Sequence, residues 1–272
     1  MSVALAPPPA SWASAAGESV RVLASRTWTL SLVELQKIRS DHTELITRMV
    51  QPVLWLLVFG QIFSRIRAIP TGNLPYLAYL TPGILAQSAL FVSIFYGIQI
   101  IWDRDAGILT KVMVTPTPRT AIVLAKAFAA GVRGLAPVVV LIPVALLLGV
   151  TIMVNPLQIL GAAAALLLSA GFFACLSMAI AGVAQTRDRL MGIGQLMTMP
   201  LFFASNALYP IDIMPGWLQV LSQINPLTYL VNALRGLLVG AQANLWTDFG
   251  VLVGVFVIGV AAAAPLLGKL VR

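Results

Sequence analysis

A chain of 272 residues that is 59% hydrophobic and 10% charged is too apolar for a soluble domain, in which roughly 25% of residues carry charge. Its net charge of +8 does not point to nucleic acid, because the basic residues sit at the ends of apolar runs rather than beside exposed aromatics on polar segments. Cys175 is the only cysteine and His42 the only histidine, so neither an intrachain disulfide nor a metal site is expected.

Residues 1–17 read as a flexible tail, since Pro7-Pro8-Pro9 interrupts them and no early positive charge makes them a signal peptide. Residues 18–43 mix Val22, Leu23, Leu30, Leu32, Val33, Leu35 and Ile38 with Arg21, Arg26, Glu34, Lys37 and Arg39. That pattern suits an amphipathic helix at a membrane surface, apolar side down, with basic stems snorkelling. His42 flanks the first span as an interfacial residue. That span, residues 45–63, contains Pro52, which kinks a membrane helix without ending it. A loop with Arg65, Arg67, Pro70 and Gly72 follows. The second span, 76–102, bends at Pro82-Gly83 and is polar at Gln87, Ser88, Ser93, Tyr96 and Gln99. Residues 103–119 are the most charged internal segment.

The third span, 122–150, carries Arg133. At 1.5 Å per residue that arginine lies about 16 Å deep, near the costly midplane. Either it faces a polar bundle interior or residues 120–133 lie partly outside and 135–154 cross; the second reading, or a snorkelling compromise, is preferred. The fourth span, 157–184, is rich in Ala and Gly, which allow close helix contact. The turn Arg187-Asp188-Arg189 leads to a fifth span, 190–208, containing Pro200. Residues 209–240 are too apolar for a free loop yet are broken by Pro210, Pro215-Gly216 and Pro226. Two short reentrant helices, 214–224 and 227–239, satisfy both facts, since neither is long enough to cross. The sixth span is 249–267. The fold class is all-α: six transmembrane helices, an N-terminal amphipathic helix and two reentrant helices.

Charge orients this topology. With both termini in the cytoplasm, thirteen basic residues fall on the inner side, against Arg65, Arg67 and Arg235 outside. The sequence holds no GxxxxGK[ST] phosphate loop, no HExxH and no Ser-Asp grouping around His42, so no catalytic site is expected in this chain. Glu44 and Asp248 sit at span ends and Asp212 in the reentrant region. The lack of a midplane acid disfavours an ion-coupled secondary carrier or channel, which stays as the alternative because backbone carbonyls can also hold sodium.

Three segments resemble the permease subunits of ABC-2 type exporters. They are Tyr79-Leu80-Thr81-Pro82-Gly83-Ile84; Trp102-Asp103-Arg104-Asp105-Ala106-Gly107-Ile108-Leu109 running on to Pro116-Thr117-Pro118-Arg119; and Leu208-Tyr209-Pro210-Ile211-Asp212 with Met214-Pro215-Gly216-Trp217-Leu218, Ile224-Asn225-Pro226-Leu227-Thr228-Tyr229 and Ala233-Leu234-Arg235. The subgroup looks like daunorubicin-exporter permeases of actinobacteria. Thr117-Pro118 departs modestly from the commoner Val/Leu-Ser.

The resemblance implies roles. Residues 18–43 would be a connecting helix, with Arg26, Glu34, Lys37 and Arg39 bracing an ATPase interface. Residues 44–272 would form the ABC-2 transmembrane domain. Within it, residues 103–119 would be the cytoplasmic coupling segment, through Asp103, Arg104, Asp105, Gly107, Lys111, Pro116 and Arg119. Gln87, Ser88, Ser93, Tyr96 and Gln99 would line the translocation path, although a polar stripe equally serves as interhelical glue. Residues 209–240 would be an outer lid built on Pro210, Asp212, Pro215, Gly216, Trp217, Asn225, Pro226 and Arg235, in which Trp217, Leu218, Leu221 and Leu227 can also be read simply as core. The implied partners are two copies of a soluble ABC ATPase subunit, which would hold ATP and Mg2+, a second identical or homologous permease, membrane lipid and an amphipathic drug or lipid-like substrate. The implied location is the bacterial plasma membrane.

Overall fold

The computed structural model describes residues 12–38, 42–66, 69–72, 74–115, 117–184, 186–268 and 270. Arg39, Pro116, Arg67, Lys269, Arg272 and residues 1–11 lie outside them, as do the side chains of His42 and Glu44. Among the described residues every regular element is helical.

The helix α1 spans Trp12–Ile38, so it starts six residues before the expected boundary at 18. A rod follows, made of α2 (His42–Leu54), a π turn (Trp55–Phe59) and α3 (Gly60–Ile66). Pro52 lies just before the π turn, where its missing N–H already weakens the helical ladder. α4 (Tyr76–Asp105) is the hub, with its apolar side chains buried along most of its length. It leads to α5 (Ile108–Val114), then α6 (Arg119–Gly134) and α7 (Ala136–Leu147), which break from each other at Leu135. α8 (Pro156–Ala184) packs on α4, α6 and, later in the chain, α11 (Pro226–Val239) and α12 (Leu245–Leu267). Between them come α9 (Arg187–Phe203), a 3-10 turn (Ile211–Ile213) and α10 (Gly216–Ile224).

Four stretches are long and apolar enough to cross a bilayer: α4, α6 with α7, α8 and α12. The other two expected spans correspond to the rod 42–66, interrupted by its π turn, and to α9, which ends at Phe203 rather than at 208. Two short helices stand where the reentrant pair was expected, α10 and α11, within two residues of the expected bounds.

The preferred reading of Arg133 is corrected. Residues 136–147 form a helix of only 12 residues, too short to cross alone, so α6 and α7 run together through the apolar layer. Arg133 faces the bundle interior, buried, with its guanidinium 4.3 Å from the centroid of the Tyr96 ring.

The bundle has two distinct ends. At one, the C-termini of α4, α8 and α12 meet the N-termini of α6 and α9: Lys126 reaches Asp103, Arg187 reaches Asp105, and Arg119 lies against Gly268. This is the charged end. At the other, Tyr76 and Tyr79 of α4 donate to the carbonyls of Leu208 and Asn206, and the amide of Met153 donates to the carbonyl of Leu238.

Candidate functional site

The charged end is built around two short-range facts of sequence. Gly107 has φ 71°, a left-handed conformation that a side chain rarely adopts, and it turns the chain sharply out of α4 into α5. Thr115 then leaves the helix in an extended conformation. The result is a seven-residue helix held on the bundle by Leu109, buried in a cluster that includes Ile98, Ile101, Val123 and Leu267, with Val112 and Met113 half-buried against the same cluster. Its other face is turned outward: Ile108 is 44% and Val114 83% exposed, and Lys111 is exposed between them. A cleft of about 460 Å³ separates α5 from α1, lined by Ser25, Arg26, Thr29 and Leu30 on one side and Lys111, Val112, Thr115 and Thr117 on the other.

Beneath α5 lies an ion cluster that joins three helices. The Lys126 ammonium on α6 donates to Glu34 Oε1 of α1 at 2.9 Å and to Asp103 Oδ2 of α4. Lys37 donates to the same two carboxylates, at 3.2 Å to Glu34 and 3.4 Å to Asp103. The Tyr96 hydroxyl donates to Glu34 Oε2 at 2.6 Å. Two carboxylates against two ammonium groups leave the cluster formally neutral, which is what a buried charge requires. Burial pushes the Glu34 carboxyl up, but Lys126, the Tyr96 hydroxyl and Lys37 outweigh it and bring the group down to about 2. Lys37 is opposed by burial and raised, on balance, by Glu34 and Asp103.

The coupling residues expected from sequence therefore divide. Asp103 points inward and is spent on Lys126 and Lys37. Asp105 points outward and holds Arg104 and Arg187, each at 2.8 Å. Lys111 is exposed on α5, and Arg119 begins α6. Of the connecting-helix residues, Arg26 lines the cleft, while Glu34 and Lys37 belong to the cluster. Lys126 was counted only as an inner-side charge in the sequence, although its place seven residues into an apolar helix was a signal that it needed buried partners.

At the opposite end a single cation is held without acids. Arg235 on α11 is buried, lies 3.6 Å from the Tyr79 ring centroid, and donates to the carbonyls of Asn206 at 2.9 Å and Tyr79 at 3.2 Å. Segment 204–209 lies flat on α4, where Gly83 is required because a Cβ there would run into the backbone of Ala207. Asn225 caps α11 by accepting from the Leu227 amide and also donates to the Leu201 carbonyl at 2.6 Å. Pro226 occupies the first turn of α11, where a missing N–H costs nothing. Pro210, Asp212, Pro215 and Gly216 sit at the surface. Trp217 and Leu221 face outward, correcting their reading as core, whereas Leu227 is fully buried.

The polar residues of α4 also divide. Gln87 and Ser88 line a cavity of about 440 Å³ between α2, α4 and α9, together with Thr47, Arg48, Gln51, Gln195, Phe91 and Met199. Ser93 and Tyr96 are turned into the bundle instead, Ser93 bonding the Ala89 carbonyl one turn back. Gln99 is half-buried.

Comparison with known proteins decides the family. The ABC-2 type transporter profile matches residues 25–239. The chain is 33% identical over 194 residues to a transport permease, ycf38, of Cyanophora paradoxa, covering 70% of this chain and 66% of that one. It is 27% identical over 229 residues to the daunorubicin resistance ABC transporter permease protein DrrB1 of Streptomyces coeruleorubidus, covering 84% and 80%. It is 26% identical over 224 residues to the inner membrane transport permease YadH of Escherichia coli K12, covering 77% and 82%. The chain belongs to the ABC-2 type transporter family.

As an ABC-2 family membrane protein, it carries α5, the ion cluster and the Arg235 anchor all within the matched region. The chain spans 66% of the length of the ycf38 permeases it matches.

Proposed function

We propose that the chain is the membrane subunit of an ATP-driven exporter whose soluble ATPase docks on α5, with the charged end and both termini in the cytoplasm. The observation that carries this reading is α5 itself: a short helix with exposed Ile108, Lys111 and Val114 on its outer face, seated on the bundle by Leu109, Val112 and Met113. Exposed apolar residues beside a cation form a contact surface for a soluble partner. The excess of basic residues at that end supports the orientation.

In this reading two ATPase subunits bind and hydrolyse ATP with Mg2+, and two permease chains, identical or homologous, face each other across the path. Closure of the ATPases displaces α5. The displacement reaches α4, α6 and α12 through Leu109, and the Glu34–Lys126–Asp103 cluster makes α1, α4 and α6 move as one body. The cavity lined by Gln87, Ser88, Gln51 and Gln195 beside Phe91 and Met199 offers a polar head and an apolar body to an amphipathic drug or lipid-like substrate. The name of the DrrB1 relative supports a drug among those substrates.

The test is co-purification of the full chain with its ATPase. Lys111→Glu with Val114→Asp should abolish the complex while leaving the thermal midpoint of the permease unchanged, since both positions are exposed. Retention of the complex by that variant places docking elsewhere. Failure of the wild-type chain to bind any ATPase overturns the reading in favour of an ion-coupled carrier.

A further inference from the structure

An apolar groove runs along the outside of the bundle at the charged end, where α1 leans over three membrane helices. Its volume is about 540 Å³. Leu23, Ala24 and Trp28 of α1 form one wall, Leu124 and Phe128 of α6 the other, and Leu167 of α8 and Phe256 of α12 lie at its floor. The hydroxyl-bearing residues of the lining, Thr27 and Ser31, both belong to α1, and Ser31 is spent on the Thr27 carbonyl.

Depth along the bundle fixes the groove's surroundings. Leu124 lies five residues from the start of α6, Phe256 eleven from the end of α12 and Leu167 seventeen from the end of α8, so at 1.5 Å per residue the groove runs from roughly 7 Å to roughly 25 Å below the charged end. It begins in the leaflet at the charged end and reaches past the middle of a hydrocarbon core about 30 Å thick, depths that acyl chains occupy. Trp28 stands at its mouth and is 60% exposed. A large aromatic with a polar edge at such a position marks the headgroup level. Arg21 lies two turns before Trp28, on the same stripe of α1, and is exposed; Arg26 is exposed on the flank of α1 that faces α5. The groove thus has an apolar body at tail depth, an aromatic mouth and cations beside the mouth.

We propose that this groove holds one acyl chain of an anionic glycerophospholipid from the leaflet at the charged end, with its phosphate near Arg21. The lipid fills the space between α1 and α6 and so belongs to the packing that keeps α1 on the bundle. It is a resident lipid, separate from the substrate cavity, which lies between α2, α4 and α9.

The test uses the full chain in cell membranes supplied with phosphatidylglycerol carrying a diazirine in the middle of one acyl chain. After illumination, labelled peptides are mapped. Peptides containing residues 23–28, 124–128 and 256 should carry label well above that on Leu196, an exposed apolar position away from the groove and nine residues into α9. Ala24→Trp, at an exposed position that needs no refolding of the core, should fill the groove and cut that label about tenfold, the change expected when a contact worth 1.4 kcal/mol is lost. Val22→Trp adds the same indole to α1 outside the groove lining and should label like wild type. The phosphatidylcholine analogue should label the groove less than phosphatidylglycerol. Equal label on the groove and on Leu196, or label unmoved by Ala24→Trp, overturns the proposal: the groove is then ordinary lipid-facing surface or is covered by protein. Equal label from the two headgroups overturns the anionic preference.

Discussion

The two ends of this helical bundle bury cations by opposite means. At the charged end Lys126 is neutralised by the carboxylates of Glu34 and Asp103. At the other end Arg235 is held by carbonyl oxygens and the face of Tyr79, with no acid bonded to it. The first arrangement balances charge with charge, so removing one member strands the others. The second balances charge with dipoles whose positions come from the backbone, so it depends on the shape of the guanidinium. The first ties together helices distant in sequence; the second pins the chain between α9 and α10 onto α4.

The largest expected effect follows from breaking the charge balance. Lys126→Met leaves the buried Glu34 and the half-buried Asp103 facing Lys37 alone, and stranding a buried ion costs about 3–5 kcal/mol. A large fall in the thermal midpoint of the purified permease checks it, and Lys126→Met combined with Glu34→Gln should recover part of the loss. An unchanged midpoint would mean that the cluster is solvated rather than buried.

The dipole-held end should respond to shape instead. Arg235→Lys keeps the charge but cannot reach the Asn206 and Tyr79 carbonyls with one planar fork, nor stack on the ring as a guanidinium does. A loss of about 1–3 kcal/mol follows from the buried carbonyls left short of donors. The readout is thermal stability together with protease sensitivity of the 204–224 segment. A neutral outcome would show that charge alone suffices there, and the contrast between the ends would collapse.

A pH scan separates the ends further. Glu34 has its folded value brought down to about 2 from an ordinary 4.5. A depressed carboxyl contributes stability that is complete above the unfolded value and is lost as the pH falls toward the folded one. The thermal midpoint of the wild type should therefore decline between pH values of about 4.5 and 2. Glu34→Gln should start lower at neutral pH and decline less over that window. Equal slopes would place the acid sensitivity in other groups.

How much of this was readable in advance depended on whether a residue's partner lay nearby in sequence. Pro210, Pro215 and Pro226 marked the bounds of the short helices in 209–240, because proline acts on its own backbone. Gly107 and Leu109 sat in a recognisable motif, and α5 lies within the 103–119 segment that it marked. Arg133 was misread because depth arithmetic shows the cost of an ion but not the ring of Tyr96 that receives it. Asp103 and Asp105, two residues apart, looked equivalent. Apart from Arg104 beside Asp105, their partners, on α1 and α6 for one and α9 for the other, lie 23 to 82 residues away, and the local pattern does not contain them. Trp217 and Leu221 could be read equally as lid or as core, because apolar residues in a broken segment suit both; in a membrane protein the surroundings can be apolar as well, and both side chains face outward.

That difference between neighbouring carboxylates gives the smallest and most discriminating prediction. Asp105 makes exposed pairs with Arg104 and Arg187, and exposed pairs contribute little to stability. Asp105→Asn should leave the thermal midpoint where it is, while Asp103→Asn, which removes one carboxylate from Lys126, should lower it. If docking takes place at the charged end, Asp105→Asn should still reduce the amount of ATPase that co-purifies, because it frees Arg187 at the surface beside α5. A fall in stability for Asp105→Asn as large as that for Asp103→Asn would mean that the two carboxylates share one network. The division between an inner, structural acid and an outer, partner-facing one would then be wrong.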